Sequence, residues 1–305
     1  MRRWILAVAA LAMATIALPP LFFAVFPVEV PDLPAPGRRI PVGSGVAVNA
    51  LVQGDGSPVV LVHGLPGTAY NWQAVTDRLA GRGHRVLAYD RVGYGRSDRR
   101  PAGDFTVDAN AVELLALLKA EDLRDATVVG WSYGGKTAMT AALIDPARIG
   151  RLVLVGSAGL WESAPPPSRL FSILFSAPVV EWMAAVPPLF RGMQRGMGLQ
   201  FFSEQPVPGW FSLQSQANFA LATTRHTWRR EAARFRFDGP DPAPIERPIL
   251  VIHGDDDRVI PLEVGEWIHA RAPRSELLVV KGGSHALPAT HPALVADRIE
   301  ECAAR

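Results

Sequence analysis

The chain has 305 residues, with 31 Lys and Arg against 29 Asp and Glu, and 49% of it is hydrophobic. That length suits one large domain, or one domain carrying an insertion, and the apolar content with 20% charged residues excludes a disordered chain. A net charge of +2 without a long basic run argues against nucleic acid as a partner, and the single cysteine, Cys302, excludes an internal disulfide or a Cys-based zinc site.

No charged residue occurs from Trp4 to Val28, and Arg2-Arg3 stand just before that stretch. As a helix it would rise roughly 37 Å, enough for a hydrocarbon core of about 30 Å, with a kink expected at Pro19-Pro20. Residues 1–28 are therefore expected to anchor the protein in a membrane. A cleaved signal peptide and a segment docked on the protein's own surface are the alternatives. The paired arginines would hold the N-terminus in the cytoplasm and the domain outside, whereas cleavage would leave it secreted or periplasmic. Residues 29–45, with Pro31, Pro34, Pro36 and Pro41, read as a Pro-rich linker.

From Val46 onward, strand and helix patterns alternate. Val46–Val52 ends at Gly54-Asp55-Gly56, a hairpin signal leading into the continuously apolar Pro58–Val62. Ala69–Ala80, Val107–Lys119 and Tyr133–Leu143 have helical spacing, and Arg85–Tyr89, Ala126–Gly130 and Leu152–Val155 read as strands. Pro248–Ile252 and Leu277–Val280 add two more strands, and Leu262–Ala270 and Pro292–Ala303 two more helices. Such alternation implies an α/β fold with a mostly parallel central sheet flanked by helices. Residues 46–157 and 246–305 would form this core. Residues 158–245, rich in Trp, Phe and Met, lack any buried-strand pattern and read as an inserted helical cap over the C-terminal sheet edge. Within it, Leu170–Val186 carries one charge, and the Arg-rich Arg225–Arg236 reads as a solvated helix face.

The chemistry falls at strand ends. Gly130-Trp131-Ser132-Tyr133-Gly134 has the form G-x-S-x-G between a strand and a helix, a sharp turn that lifts a serine hydroxyl above the sheet. A serine needs a base, and the base needs an orienting acid. Of the seven histidines, His285 follows a strand end in Gly283-Ser284-His285 and is the candidate base. Asp255, Asp256 and Asp257 all follow another strand, and the residues alone do not choose among them. Two backbone donors are needed for an oxyanion. Tyr133 N–H is one, and the loop His63-Gly64-Leu65-Pro66-Gly67 can supply the other. Trp131 and Trp161 are candidates to contact substrate.

These features resemble an α/β-hydrolase-fold serine hydrolase across residues 46–304. His63-Gly64-Leu65-Pro66 is similar to that family's HG-x-P loop, which implies Leu65 N–H as the second oxyanion donor. Asp90-Arg91-Val92-Gly93-Tyr94-Gly95-Arg96-Ser97 resembles its D-x-x-G-x-G-x-S loop. The family's G-x-x-D-x-x-x-P spacing falls on Gly254, Asp257 and Pro261, which implies Asp257 as the acid. Related epoxide hydrolases and haloalkane dehalogenases use aspartate at the elbow, so Ser132 points instead to acyl transfer. The resemblance implies a hydrolase of a small-molecule carboxylic ester, working through Ser132, His285 and Asp257 with no metal or organic cofactor, while the apolar Leu170–Val186, the basic Arg225–Arg236 and the expected anchor point to an apolar or lipid-like ester. Perhydrolysis, as in cofactor-free haloperoxidases, and amide or C–C bond hydrolysis are the alternatives.

Overall fold

The computed structural model describes residues 2–26, 32–43, 45–100, 104–161, 176–236 and 238–304, with side chains in the first helix from Met13 onward, Thr15 excepted. After that helix, α1 (Arg2–Val25), come β1 (Arg38–Pro41), β2 (Ala47–Gln53), β3 (Pro58–Val62), α2 (Gln73–Gly81) and β4 (Arg85–Tyr89). Next are α3 (Val107–Ala120), β5 (Ala126–Trp131), α4 (Tyr133–Ile144) and β6 (Ile149–Val155). Four helices then intervene: α5 (Ala177–Ala184), α6 (Pro187–Phe202), α7 (Gly209–Ala220) and α8 (Ala222–Arg234). The chain closes with β7 (Ile249–Gly254), α9 (Leu262–Arg271), β8 (Ser275–Val280), α10 (Leu287–Thr290) and α11 (Pro292–Ala303).

All eight strands join one sheet in the order β1-β2-β4-β3-β5-β6-β7-β8. The pairings from β4 to β8 are parallel, and β1–β2 and β2–β4 are antiparallel. Continuous apolar runs in the central strands have a simple cause, because both sheet faces are covered. In β5, Val128 packs with Leu114 and Leu117 of α3 and Met139 of α4 on one side. Its neighbour Val129 faces the opposite way, into the cluster that holds Val75 and Leu79 of α2 and Val295 and Ile299 of α11. The sheet is thus a scaffold in which the C-terminal ends of β3 to β8 lie at one edge, where the loops after β3, β5, β7 and β8 converge.

Three sequence expectations change. The linker is shorter than 29–45, because Arg38–Pro41 pairs with β2 and buries Ile40. Only one side chain of that short strand enters the core, too little for a period-2 pattern, and Pro41 is tolerated because the strand lies at the edge. Gly54-Asp55-Gly56 is not the turn of a β2–β3 hairpin, since β4 lies between those strands. The parallel crossover through α2 brings β4 beside β3, and Ala50 then pairs antiparallel with Tyr89.

The membrane anchor expected over residues 1–28, with its extracytoplasmic domain, also finds no support. Among the described residues, no helix is long and apolar enough to cross a membrane. The half of α1 from Met13 to Val25 carries Pro19 and Pro20. That half of α1 meets the inserted helices instead: Trp182 of α5 donates its indole N–H to the Ile16 carbonyl at 2.6 Å. Residues 162–175, including the start of the apolar stretch Leu170–Val186, lie outside the described residues.

The excursion between β6 and β7 leaves and returns past one point. A Cβ on Gly239 would stand 2.9 Å from Gly159 Cα, so the outgoing and incoming chains touch backbone to backbone there.

Candidate active site

β5 runs into α4 through Ser132, whose φ of 55° and ψ of −121° are seldom adopted by a residue with a side chain. The turn must be this sharp because α4 departs against β3: a Cβ on Gly134 would lie 2.2 Å from the Val62 carbonyl oxygen. Ser132 is held on both sides. Its N–H donates to the Val155 carbonyl at 3.0 Å, and its own carbonyl accepts from the N–H groups of Gly135 and Ala158, each at 3.0 Å. The buried side chain stands at the N-terminus of α4, where the helix dipole favours negative charge.

His285, on the loop after β8, is fully buried. Its Nδ1 donates to Asp257 Oδ2 at 2.7 Å, and its carbonyl accepts from the Trp131 indole N–H at 2.8 Å. The ring lies tilted against Trp131, centroids 5.6 Å apart, and takes Phe201 of α6 edge-on at 5.0 Å. With Nδ1 carrying the proton, Nε2 is an acceptor, and it has no hydrogen-bond partner among the described residues. No Ser132–His285 hydrogen bond is formed; such bonds commonly tighten only once substrate is bound.

The three aspartates after β7 separate cleanly. Asp257 is buried, and its second oxygen accepts from the N–H groups of Val259 at 2.9 Å and Ile260 at 2.8 Å. Burial alone would raise its pKa, but His285, with His253 and the Ile260 N–H, more than offsets that and holds the carboxyl below its usual range. Asp255 caps Gly282 N–H at 2.6 Å, and Asp256 pairs at the surface with Arg258. His253 lies 3.6 Å from Asp257, donates to the Ile260 carbonyl at 2.9 Å, and is kept below the usual histidine pKa, chiefly by burial.

The loop after β3 approaches the serine from the other side, and a Cβ on Gly64 would stand 3.0 Å from Ser132 Cβ. The Gly64 carbonyl accepts from His63 Nδ1 at 2.9 Å and from Arg91 Nη2 at 3.1 Å. Arg91 N–H in turn donates to His63 Nε2 at 2.9 Å, which fixes the His63 tautomer as Nδ1–H. Burial, reinforced by the Arg91 charge, pushes His63 well below its usual pKa, so the ring is neutral. Tyr133 is the first residue of α4, and its N–H therefore has no acceptor within the helix. Leu65 packs against an apolar cluster of Val180, Phe190, Phe219 and Trp228 from the inserted helices. Trp161 is placed differently. It packs against the larger core cluster, as Phe235, Val259 and Trp267 also do.

Sequence reasoning misses the group behind this loop. Arg91 is buried and paired through both terminal nitrogens with Glu231 of α8, at 2.9 and 3.1 Å. Its guanidinium lies between the Tyr94 and Tyr133 rings, 4.7 and 4.8 Å from their centroids. Burial works against the Arg91 charge, but the Glu231 carboxylate beside it outweighs that and raises the pKa further. One signal was available: Glu231 is the single acid in the Arg-rich segment Arg225–Arg236.

A family model described as the alpha/beta hydrolase fold matches residues 57–292. The 2-hydroxymuconate semialdehyde hydrolase of Pseudomonas sp. (strain CF600) is 32% identical over 267 residues, covering 78% of this chain and 84% of that protein. The non-heme chloroperoxidase of Streptomyces lividans is 29% identical over 261 residues, covering 78% of this chain and 88% of that one. Among solved structures, an esterase from Exiguobacterium antarcticum superposes with a TM-score of 0.74 at 23% identity, covering 88% of this chain and 100% of that chain, a likeness of fold alone. Because the family match takes in more than half of the chain, and the strands it spans end at the loops just described, this protein belongs to the alpha/beta hydrolase fold family.

Proposed function

We propose that the protein is a serine hydrolase that cleaves a carboxylic ester through an acyl-enzyme. The observation that carries this reading is the buried His285–Asp257 hydrogen bond, which leaves Nε2 as a free acceptor on a residue whose carbonyl is held by Trp131, the neighbour in sequence of the strained Ser132. Ser132 Oγ attacks the ester carbonyl as His285 Nε2 takes its proton, and Asp257 stabilises the imidazolium that forms. The N–H groups of Leu65 and Tyr133 donate to the developing oxyanion, worth about 3–4 kcal/mol for a well-placed donor. His285 then protonates the leaving alcohol, and water, deprotonated by the same nitrogen, releases the acid.

The surroundings favour a neutral, apolar acyl group. Leu65 is set in an apolar cluster, and Trp131 and Phe201 enclose His285. The relative that acts on 2-hydroxymuconate semialdehyde supports a second reading, cleavage of a carbon–carbon bond next to a carbonyl, and the chloroperoxidase relative supports perhydrolysis. A muconate is an anion, and against that reading the buried cation behind the site, Arg91, is already matched by Glu231.

The direct test is labelling with a fluorophosphonate probe. Wild-type protein is expected to label and the Ser132→Ala variant not to, with p-nitrophenyl ester turnover lost in parallel. Equal labelling of both proteins would remove Ser132 as nucleophile, and labelling without ester turnover would favour the second reading.

A further inference from the structure

We infer that Glu231 is a positioning residue for the oxyanion hole, acting from the inserted helices through Arg91 on the peptide that joins Gly64 to Leu65. The inference rests on the serine hydrolase reading above.

A peptide unit is planar and trans or cis as a whole, so its C=O and N–H cannot turn independently. Fixing the Gly64 carbonyl therefore aims the Leu65 N–H. Two donors fix that carbonyl, His63 Nδ1 and Arg91 Nη2, and both lead back to Arg91, whose own N–H holds His63 from behind. The direction of one proposed oxyanion donor thus depends on where the Arg91 guanidinium lies.

Glu231 determines that. Its Oε1 accepts from Arg91 Nη1 and Asn110 Nδ2, each at 2.9 Å. Its Oε2 accepts from Arg91 Nη2 at 3.1 Å and from the Tyr94 hydroxyl at 2.7 Å. Four donors on one fully buried carboxylate leave it a single position, and the two-pronged pairing leaves the guanidinium a single plane. The same plane stacks on Tyr133, whose N–H is the other proposed donor. Glu231 stands 140 residues from Arg91, on a helix outside the sheet core, so the inserted helices complete the site as well as covering it. A buried ion pair is a poor source of stability, since desolvating two charges costs about as much as their attraction returns. Its place behind the oxyanion loop gives it another use.

The experiment compares Glu231→Gln with wild type, and with Arg225→Ala as a control that loosens the same inserted helices by removing the Arg225–Glu181 pair. Each protein is counted by active-site titration, then measured for kcat and KM on p-nitrophenyl butyrate. Inhibition by a trifluoromethyl ketone, whose adduct oxygen occupies the oxyanion hole, is measured alongside. Glu231→Gln is expected to lose roughly 10- to 100-fold in kcat, short of the loss when a donor is removed outright, with KM within about 2-fold. Ketone affinity should fall by a similar factor, and Arg225→Ala should keep both. Tyr94→Phe, which removes one of the four donors, should shift kcat and ketone affinity in the same direction by less, and it serves if Glu231→Gln does not fold. Unchanged kcat, or a change confined to KM, in a variant that still labels with fluorophosphonate would overturn the inference and leave the serine reading standing. A wild-type protein that fails to label would instead bring down that reading and this inference with it.

Discussion

His63 is held neutral inside the protein, between the Gly64 carbonyl and the Arg91 N–H, and this makes it a pH-dependent liability as well as a support. Its folded pKa lies below the ordinary value of 6.5, so as pH falls through 6.5 the unfolded chain takes up a proton that the folded chain refuses. Stability contributed by this site is therefore present above pH 6.5 and declines below it. Because other groups titrate nearby, the quantity to follow is the difference in unfolding free energy between wild type and His63→Gln. That gap is expected to shrink by about 1 kcal/mol between pH 7.5 and 5.5 in urea denaturation. A gap that stays constant or widens would mean that His63 is protonated in the folded state. Residues of this kind differ in how legible they are. Ser132 and His285 stand out because each follows an apolar strand, and the motif spacing singles out Asp257, the aspartate bonded to His285. Glu231 is harder to read by the same logic, since its being the single acid of an Arg-rich segment does not indicate that it turns inward to meet a partner 140 residues away.

At the scale of elements, the strand–turn–helix from β5 to α4 is a demanding piece of backbone. It was legible because its requirements are local: an apolar strand, a serine, and glycines where a Cβ would collide. Gly134→Ala places a Cβ about where the Val62 carbonyl already sits, so either β3 or α4 must move. Loss of soluble protein, or of fluorophosphonate labelling in what remains, is expected. A variant that labels at the wild-type rate would show that α4 has slack the structure does not reveal. The order of β2, β4 and β3 could not be read in this way. Strand adjacency is decided by which crossover packs, here α2, and a Gly-rich turn between two strands looks the same whether or not they become neighbours. The edge strand β1 escaped for a related reason, because a single inward residue, Ile40, sets no period.

For the whole molecule, charge is close to balanced at +2, and the site inherits that economy, with the Arg91 charge absorbed by Glu231. Discrimination by charge should follow. Between p-nitrophenyl butyrate and a p-nitrophenyl hemisuccinate of similar size, kcat/KM is expected to favour the neutral ester by at least about 10-fold, the order expected for burying an unpaired carboxylate in such surroundings. Equal turnover of both would point to a cation at the mouth of the site and revive a substrate like that of the muconate relative.

The contact between Gly159 and Gly239 has a consequence for how this protein can change over generations. Everything from α5 to α8 hangs from a joint at which the chain crosses itself, so that portion can be lengthened or replaced while the strands beneath keep their register. Doubling such a loop costs only about 0.6 kcal/mol in closure entropy. The exchange is nonetheless not free. An incoming set of helices that lacks an acid at the place of Glu231 would strand a buried guanidinium beside the serine, so successful grafts at this joint must bring their own counter-ion.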